Sequence, residues 1–140
     1  MNISQTVTDN VTELLNKIVD FTDQRRMVLT TNILKCNVTG FIPHDLDTEE
    51  FATVMSCAFS EYIKNKRLLF CDAENIKFGR GGSFDSIAVV DEEAKMLFEK
   101  DINKYLELQM ERLSDNLLNN KIARRLLEQR QVNASSMTLF

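Results

Sequence analysis

The sequence predicts a mainly α protein. A long N-terminal and a long C-terminal helix pack as an antiparallel, coiled-coil-like pair, with a small irregular or β-containing insert between them. Two observations carry this expectation. Only four glycines and one proline occur in 140 residues, too few structure breakers for the turns of a strand-rich fold. Apolar residues recur at steps of three and four over both ends of the chain, the spacing of one helix face.

In the N-terminal segment Val11, Leu14, Ile18, Phe21, Arg25, Val28 and Asn32 alternate such steps, and Leu15, Leu29 and Ile33 widen the stripe. Arg25 and Asn32 are polar residues on a seam that is otherwise apolar, where a polar residue fixes register at some cost in stability. The first ten residues are polar, with one weak apolar pair at Ile3 and Val7, and read equally as a helix extension or as disorder. Gly40 is the natural stop, because glycine takes the left-handed conformation cheaply. Pro43 keeps its predecessor extended, so FIPHDLD reads as a linker.

From Thr48, a plausible N-cap, helical spacing returns through Phe51, Val54, Met55, Ala58, Phe59 and Tyr62. Residues 63–90 hold three of the four glycines and two short apolar runs, Leu68–Cys71 and Ile87–Val90. They read as a hairpin-like insert turning at Gly79, Gly81 and Gly82. A second long helix is expected from Asp91, with Ala94, Phe98, Ile102, Tyr105, Leu106, Leu113 and Leu117 in one apolar stripe. The organisation is therefore residues 1–35 as the first core helix, 36–90 as linker, short helix and protruding insert, 91–127 as the second core helix, and 128–140 as a tail. Neither long helix is stable alone, so each needs a packing partner.

Composition excludes several function classes. A formal charge of −4 gives no whole-chain case for nucleic-acid binding. No apolar run approaches the ~20 residues of a membrane span, and the first residues, MNISQTVTDN, show no cleavable signal. Three cysteines, Cys36, Cys57 and Cys71, leave at least one thiol unpaired within the chain and match no metal-ligand spacing. His44, the single histidine, has no nucleophile or second ligand near it in sequence. The acids Asp45, Asp47, Glu49 and Glu50 lack a calcium-loop pattern and read as a solvated linker. GRGG at 79–82 is not followed by the Lys-Ser/Thr of a phosphate cradle. The expectation is a protein without catalytic, cofactor-binding or metal residues.

Charge is uneven along the second helix. Residues 91–115 carry eight acids and four bases, whereas residues 121–130 carry Lys121, Arg124, Arg125 and Arg130 against Glu128 alone. The basic stretch suits an anionic membrane surface, an acidic partner, or the acidic part of the same or a neighbouring helix.

Arg25, Val28, Leu29, Asn32, Ile33, Gly40, Phe41, Asp45, Leu46, Asp47 and Phe51 stand in the order and spacing of a known N-terminal signature. The pattern resembles that of the bacterial flagellar basal-body rod proteins, most of all the proximal rod subunits. Val90, Asp91, Glu93, Asn103, Lys104 and Tyr105 are similar to the start of that family's C-terminal helix. The resemblance covers residues 11–51 and 90–118. Leu34-Lys35 stand where the family has Ala-Asn, and Val38-Thr39-Gly40-Phe41 where it has Thr-Pro-Gly-Tyr.

The resemblance implies a structural subunit of the axial rod, exported unfolded through the flagellar type III apparatus without a cleaved signal. It implies partners among other rod proteins, copies of itself, and the export gate and MS ring. It also implies a place in the periplasm-spanning basal body. A soluble helical adaptor or export chaperone that grips one partner helix is the alternative. On the rod reading, Asn32→Leu is expected to leave the solubility of the free protein nearly unchanged and to impair assembly.

Overall fold

The computed structural model describes the backbone of residues 3–138 and the side chains of residues 10–133. Helix α1 (Ile3–Leu34) leads to strand β1 (His44–Asp45) and helix α2 (Thr48–Asn65). Strands β2 (Ile76–Phe78) and β3 (Phe84–Ser86) flank a 3-10 turn at Arg80–Gly82, and β4 (Val89–Val90) precedes helices α3 (Glu92–Lys100) and α4 (Ile102–Thr138). Helix therefore continues through the segment expected to be a tail, as far as Thr138, and α1 takes in the polar start from Ile3.

The long helices α1 and α4 pack together and run antiparallel. Asn32 meets Gln109, Thr22 meets Asn116, and Leu15 and Val19 meet Ala123, so positions rise along one helix as they fall along the other. Val11, Ile18 and Leu127 pack against that last apolar cluster.

The second expected helix is two. Asp101 breaks it with an extended backbone (φ −152°, ψ 95°), and its carboxylate accepts from Lys104 N–H to start α4. Asp91 starts α3 in the same way by accepting from Ala94 N–H. The N-cap of α2 is likewise Asp47, not Thr48, accepting from Glu50 N–H at 3.0 Å. In each case a carboxylate one residue ahead of the first helical position satisfies a donor the helix leaves free.

Residues 36–90 do not stand clear of the long helices. Phe21 of α1 stacks on Phe51 of α2 with ring centroids 4.0 Å apart, and Phe51 stacks on Phe84 of β3 at 6.0 Å. Leu46, Val54 and Ile76 complete this buried cluster, and Ile18, Val28 and Met55 pack around it. The insert folds back because two short strands bury too little by themselves. Its hairpin turns at the expected glycines, with Gly81 and Gly82 at φ +70° and +78°.

The strands themselves differ from expectation. Leu68–Cys71 is not a strand, and of Ile87–Val90 only Val89–Val90 is, paired with β1 rather than within the hairpin. Two α1 side chains hold the hairpin. The Gln24 amide donates to Phe84 O at 3.1 Å and accepts from Ser86 N–H at 2.9 Å. Buried Lys17 donates to Gly82 O and lies 5.1 Å from the Phe70 ring centroid.

Helix α2 ends on Lys66, a non-glycine residue at φ +57° whose N–H bonds Tyr62 O. Left-handed backbone strains a residue with a Cβ, so Lys66→Gly should stabilise the protein by about 1 kcal/mol. A urea titration that leaves the midpoint unmoved would contradict this.

Candidate functional site

The polar residues of the α1 seam meet the chain that leaves α1 and the first half of α4. Arg25 grips Asp45 with two parallel bonds, Nε to Oδ1 and Nη2 to Oδ2, each 2.9 Å. Both side chains are largely buried, at 13% and 14% exposure. Arg112 of α4 approaches the same carboxylate at 3.7 Å, pairs with Asp91, and reaches Glu93 at 3.1 Å. One ion network thus ties α1, β1, α4 and the start of α3. A bidentate guanidinium–carboxylate pair fixes orientation as well as distance, and here it orients β1 against α1.

Asn32, 1% exposed, makes the second tie. Asp91 N–H bonds Pro43 O, so the antiparallel ladder turns the N–H and C=O of His44 away from β4. Asn32 takes both: its Nδ2 donates to His44 O at 2.7 Å, and its Oδ1 accepts from His44 N–H at 3.3 Å. The same Nδ2 donates to Gln109 Oε1 at 3.0 Å. The asparagine therefore serves as an edge partner for the strand and as a bridge to α4.

Tyr105 makes the third. Its hydroxyl donates to Asn32 O at 2.8 Å, satisfying a carbonyl of the last turn of α1. Phe98 packs edge-on against Tyr105 at 5.0 Å and against Phe41 at 6.1 Å, closing an aromatic cover over the exit from α1. Gly40, at φ +82°, makes the turn that brings Phe41 there.

Burial first, and the neighbouring Cys36 second, push the Tyr105 hydroxyl up to about 12. Burial lowers Arg112, Asp45 opposes that shift, and Arg25 adds to it. For Tyr105 the folded chain holds the proton more tightly than the unfolded chain. Its contribution to stability is therefore complete below pH 10 and is lost as pH rises through about 12. Tyr105→Phe should cost about 1 kcal/mol at neutral pH and flatten this alkaline slope. Urea melts repeated between pH 10 and 12 check it, and an unchanged slope would contradict it.

Of the residues singled out by sequence, Arg25, Asn32, Asp45 and Tyr105 converge in this clasp. Leu29, Leu46 and Phe51 are buried beside it, Val28 packs on the Phe21–Phe51 cluster, and Ile33 is half-buried. Asp47 caps α2. Asn103 is exposed on the first turn of α4 and takes no part in these contacts. Three of the four acids of the expected solvated linker are engaged instead, and Glu49 stays exposed. Beyond Asp45 and Asp47, Glu50 accepts from the backbone and side-chain amides of Asn75 at 2.7 and 3.0 Å.

Of the buried face of α4, sequence reasoning placed Tyr105 and missed the residues that follow it. Tyr105, Gln109, Arg112, Asn116, Asn120 and Ala123 follow steps of four, three, four, four and three, and lie against α1. Asn116 Nδ2 donates to Thr22 O at 2.8 Å, and Asn120 Nδ2 to Thr22 Oγ1 and Asp23 Oδ1 at 2.8 and 3.0 Å. By contrast Ile102 and Leu117, expected in the packed stripe, are exposed. The missed signal was a polar residue set at helical spacing.

A shallow groove of about 360 Å³ lies beside the clasp, floored by Ile18, Phe21 and Phe51 and walled by Asn119, Ile122 and Ala123 of α4. His44 Nδ1 lies 2.8 Å from Ile42 O. Among the described residues no three His, Cys, Asp or Glu side chains are grouped to hold a metal ion, and no helix is long and apolar enough to cross a membrane. No family model matches the chain, and neither the curated proteins nor the solved structures compared with it give a match.

Proposed function

We propose that this chain is a non-enzymatic structural subunit of the bacterial flagellar basal-body rod, in its proximal part. One observation carries the reading. Four polar residues of the rod-like signature, Arg25, Asn32, Asp45 and Tyr105, hold backbone and helices in place. Arg25 also lines the shallow groove beside the clasp, but its guanidinium is taken up by Asp45. The long helices keep apolar side chains turned outward, Met27 and Leu34 on α1 and Met110, Leu118 and Val132 on α4. Buried on assembly, such residues drive association.

In this reading α1 and α4 form a coiled-coil-like core shared with other rod proteins and further copies. The subunit leaves the cell interior through the type III export gate and adds to the rod above the MS ring. Basal bodies purified from cells making the protein should retain it in the rod after detergent and salt washes. Its loss to the soluble fraction would overturn the proposal.

The groove over Ile18, Phe21 and Phe51 favours a second reading, an adaptor or export chaperone that receives one apolar helix face. Hydrogen exchange on the free protein separates the two. A rod subunit awaiting its neighbours exchanges rapidly over the outer turns of α1 and α4, and an adaptor protects both.

A further inference from the structure

The far side of α4 changes character part-way along. At about 100° per residue, Tyr105, Gln109, Asn116 and Ala123 share the side turned to α1. Opposite them, an arc of about 140° takes in Lys121, Val132, Arg125, Leu118, Ile122 and Leu126, in that order around the helix. All six are exposed, Leu118 at 57% and Val132 at 63%, and Ile122 also walls the groove over Phe21. No acid falls on this arc between Leu118 and Val132. From Asn103 to Asp115 the same arc carries Glu107, Glu111 and Asp115 against Lys104 alone, and no exposed large apolar residue. The bases beyond Leu118 divide in turn. Arg124 turns back, donating to Asp23 Oδ2 at 2.8 Å and to Asn120 Oδ1 at 2.9 Å. Lys121 and Arg125 have no ion-pair partner among the described residues.

We propose that this face docks the free chain on an anionic phospholipid surface. Shape and charge together set the occupant. The arc is the convex flank of a single helix, so a rigid protein partner gains only a narrow strip, whereas lipid headgroups move to fit it. Leu118, Ile122, Leu126 and Val132 enter the boundary between headgroups and acyl chains. The stems of Lys121 and Arg125 lie along them, with the cations on lipid phosphates. The acids of the first half are repelled by the same surface, so α4 lies tilted, with the part beyond Leu118 against the lipid. Two cations and four partly exposed apolar side chains make a weak, reversible attachment that salt screens. The inference stands apart from the flagellar reading, because it concerns the free chain and uses none of the clasp. Burial of Leu118 and Val132 in an assembly would close the face.

Vesicle flotation of the full chain in low salt tests it, with phosphatidylcholine alone and with phosphatidylcholine and phosphatidylglycerol in equal parts. The chain should float only with the vesicles that contain phosphatidylglycerol, and high salt should release it. Lys121→Glu with Arg125→Glu should weaken this binding at least about tenfold. Leu118→Ser with Val132→Ser should weaken it several-fold even in low salt, which attraction between charges alone would not produce. Glu107→Lys with Glu111→Lys should strengthen it, and Lys77→Glu with Arg80→Glu, on the hairpin, should leave it unchanged. Circular dichroism of each variant should match the unaltered protein, since all eight side chains are exposed. No flotation, equal flotation with both kinds of vesicle, or a loss from the hairpin variant as large as that from Lys121 and Arg125 would each overturn the proposal. So would a chain that ignores both vesicles and binds a Glu-rich amphipathic peptide through the same two bases, which would assign the face to a protein partner.

Discussion

Replacing Asn32 with leucine is expected to lower the stability of the isolated protein by roughly 3–6 kcal/mol. The side chain satisfies His44 N–H, His44 C=O and Gln109 Oε1 within a site that is almost closed to water. Leucine leaves all three without a partner, each costing about 1–3 kcal/mol, and the added apolar contact offsets only part of that. Total stabilities are commonly about 5–15 kcal/mol, so the variant should be close to unfolding. The sequence-based expectation, free-protein solubility nearly unchanged and assembly impaired, treats Asn32 as an inter-subunit residue. Within this fold its partners belong to its own chain. Urea unfolding of the purified variant measures the difference, and a midpoint equal to the original would contradict the assignment.

The second large effect is expected at Asp45. Asp45→Ala removes the acceptor shared by Arg25 and Arg112 and the bond from Leu46 N–H to Asp45 Oδ1 at 2.7 Å. Breaking a buried pair by deleting one partner costs about 3–5 kcal/mol. These side chains keep some exposure, which lowers the expected loss to about 2–3 kcal/mol. Asp45→Asn keeps the shape and the Leu46 acceptor but not the charge, and should lose about half as much. A negligible loss for Asp45→Asn beside a full loss for Asp45→Ala would show that packing, not charge pairing, holds β1 in place.

Periodicity made the outer design legible in sequence. The α1 stripe, the exit at Gly40, the hairpin at three glycines and the pairing of two long helices all follow from residue spacing and backbone preference. What was not legible has physical reasons. Tracking only apolar residues along α4 selects Ile102 and Leu117, yet the face turned to α1 is built from Gln109, Arg112, Asn116 and Asn120. A polar seam looks like a solvated face until its partners are known. The break at Asp101 was hidden because Asp91, Asp101 and Asp47 play the same capping role, and an acid inside a charged stretch does not announce a new helix. Arg25 and Asn32 were noticeable as polar residues on an apolar stripe. Their partners, Asp45 and the His44 backbone, lie across a turn whose path no periodicity gives.

The central claim is that the clasp closes within one chain. Amide hydrogen exchange of the dilute monomer tests this most directly, read at His44 and Asp91, whose N–H groups bond Asn32 Oδ1 and Pro43 O. If the clasp is intramolecular, both amides exchange slowly, together with the stretches of α1 and α4 that carry Asn32 and Tyr105. Fast exchange at His44 and Asp91 in the monomer, slowing only when an assembly partner is added, would contradict it.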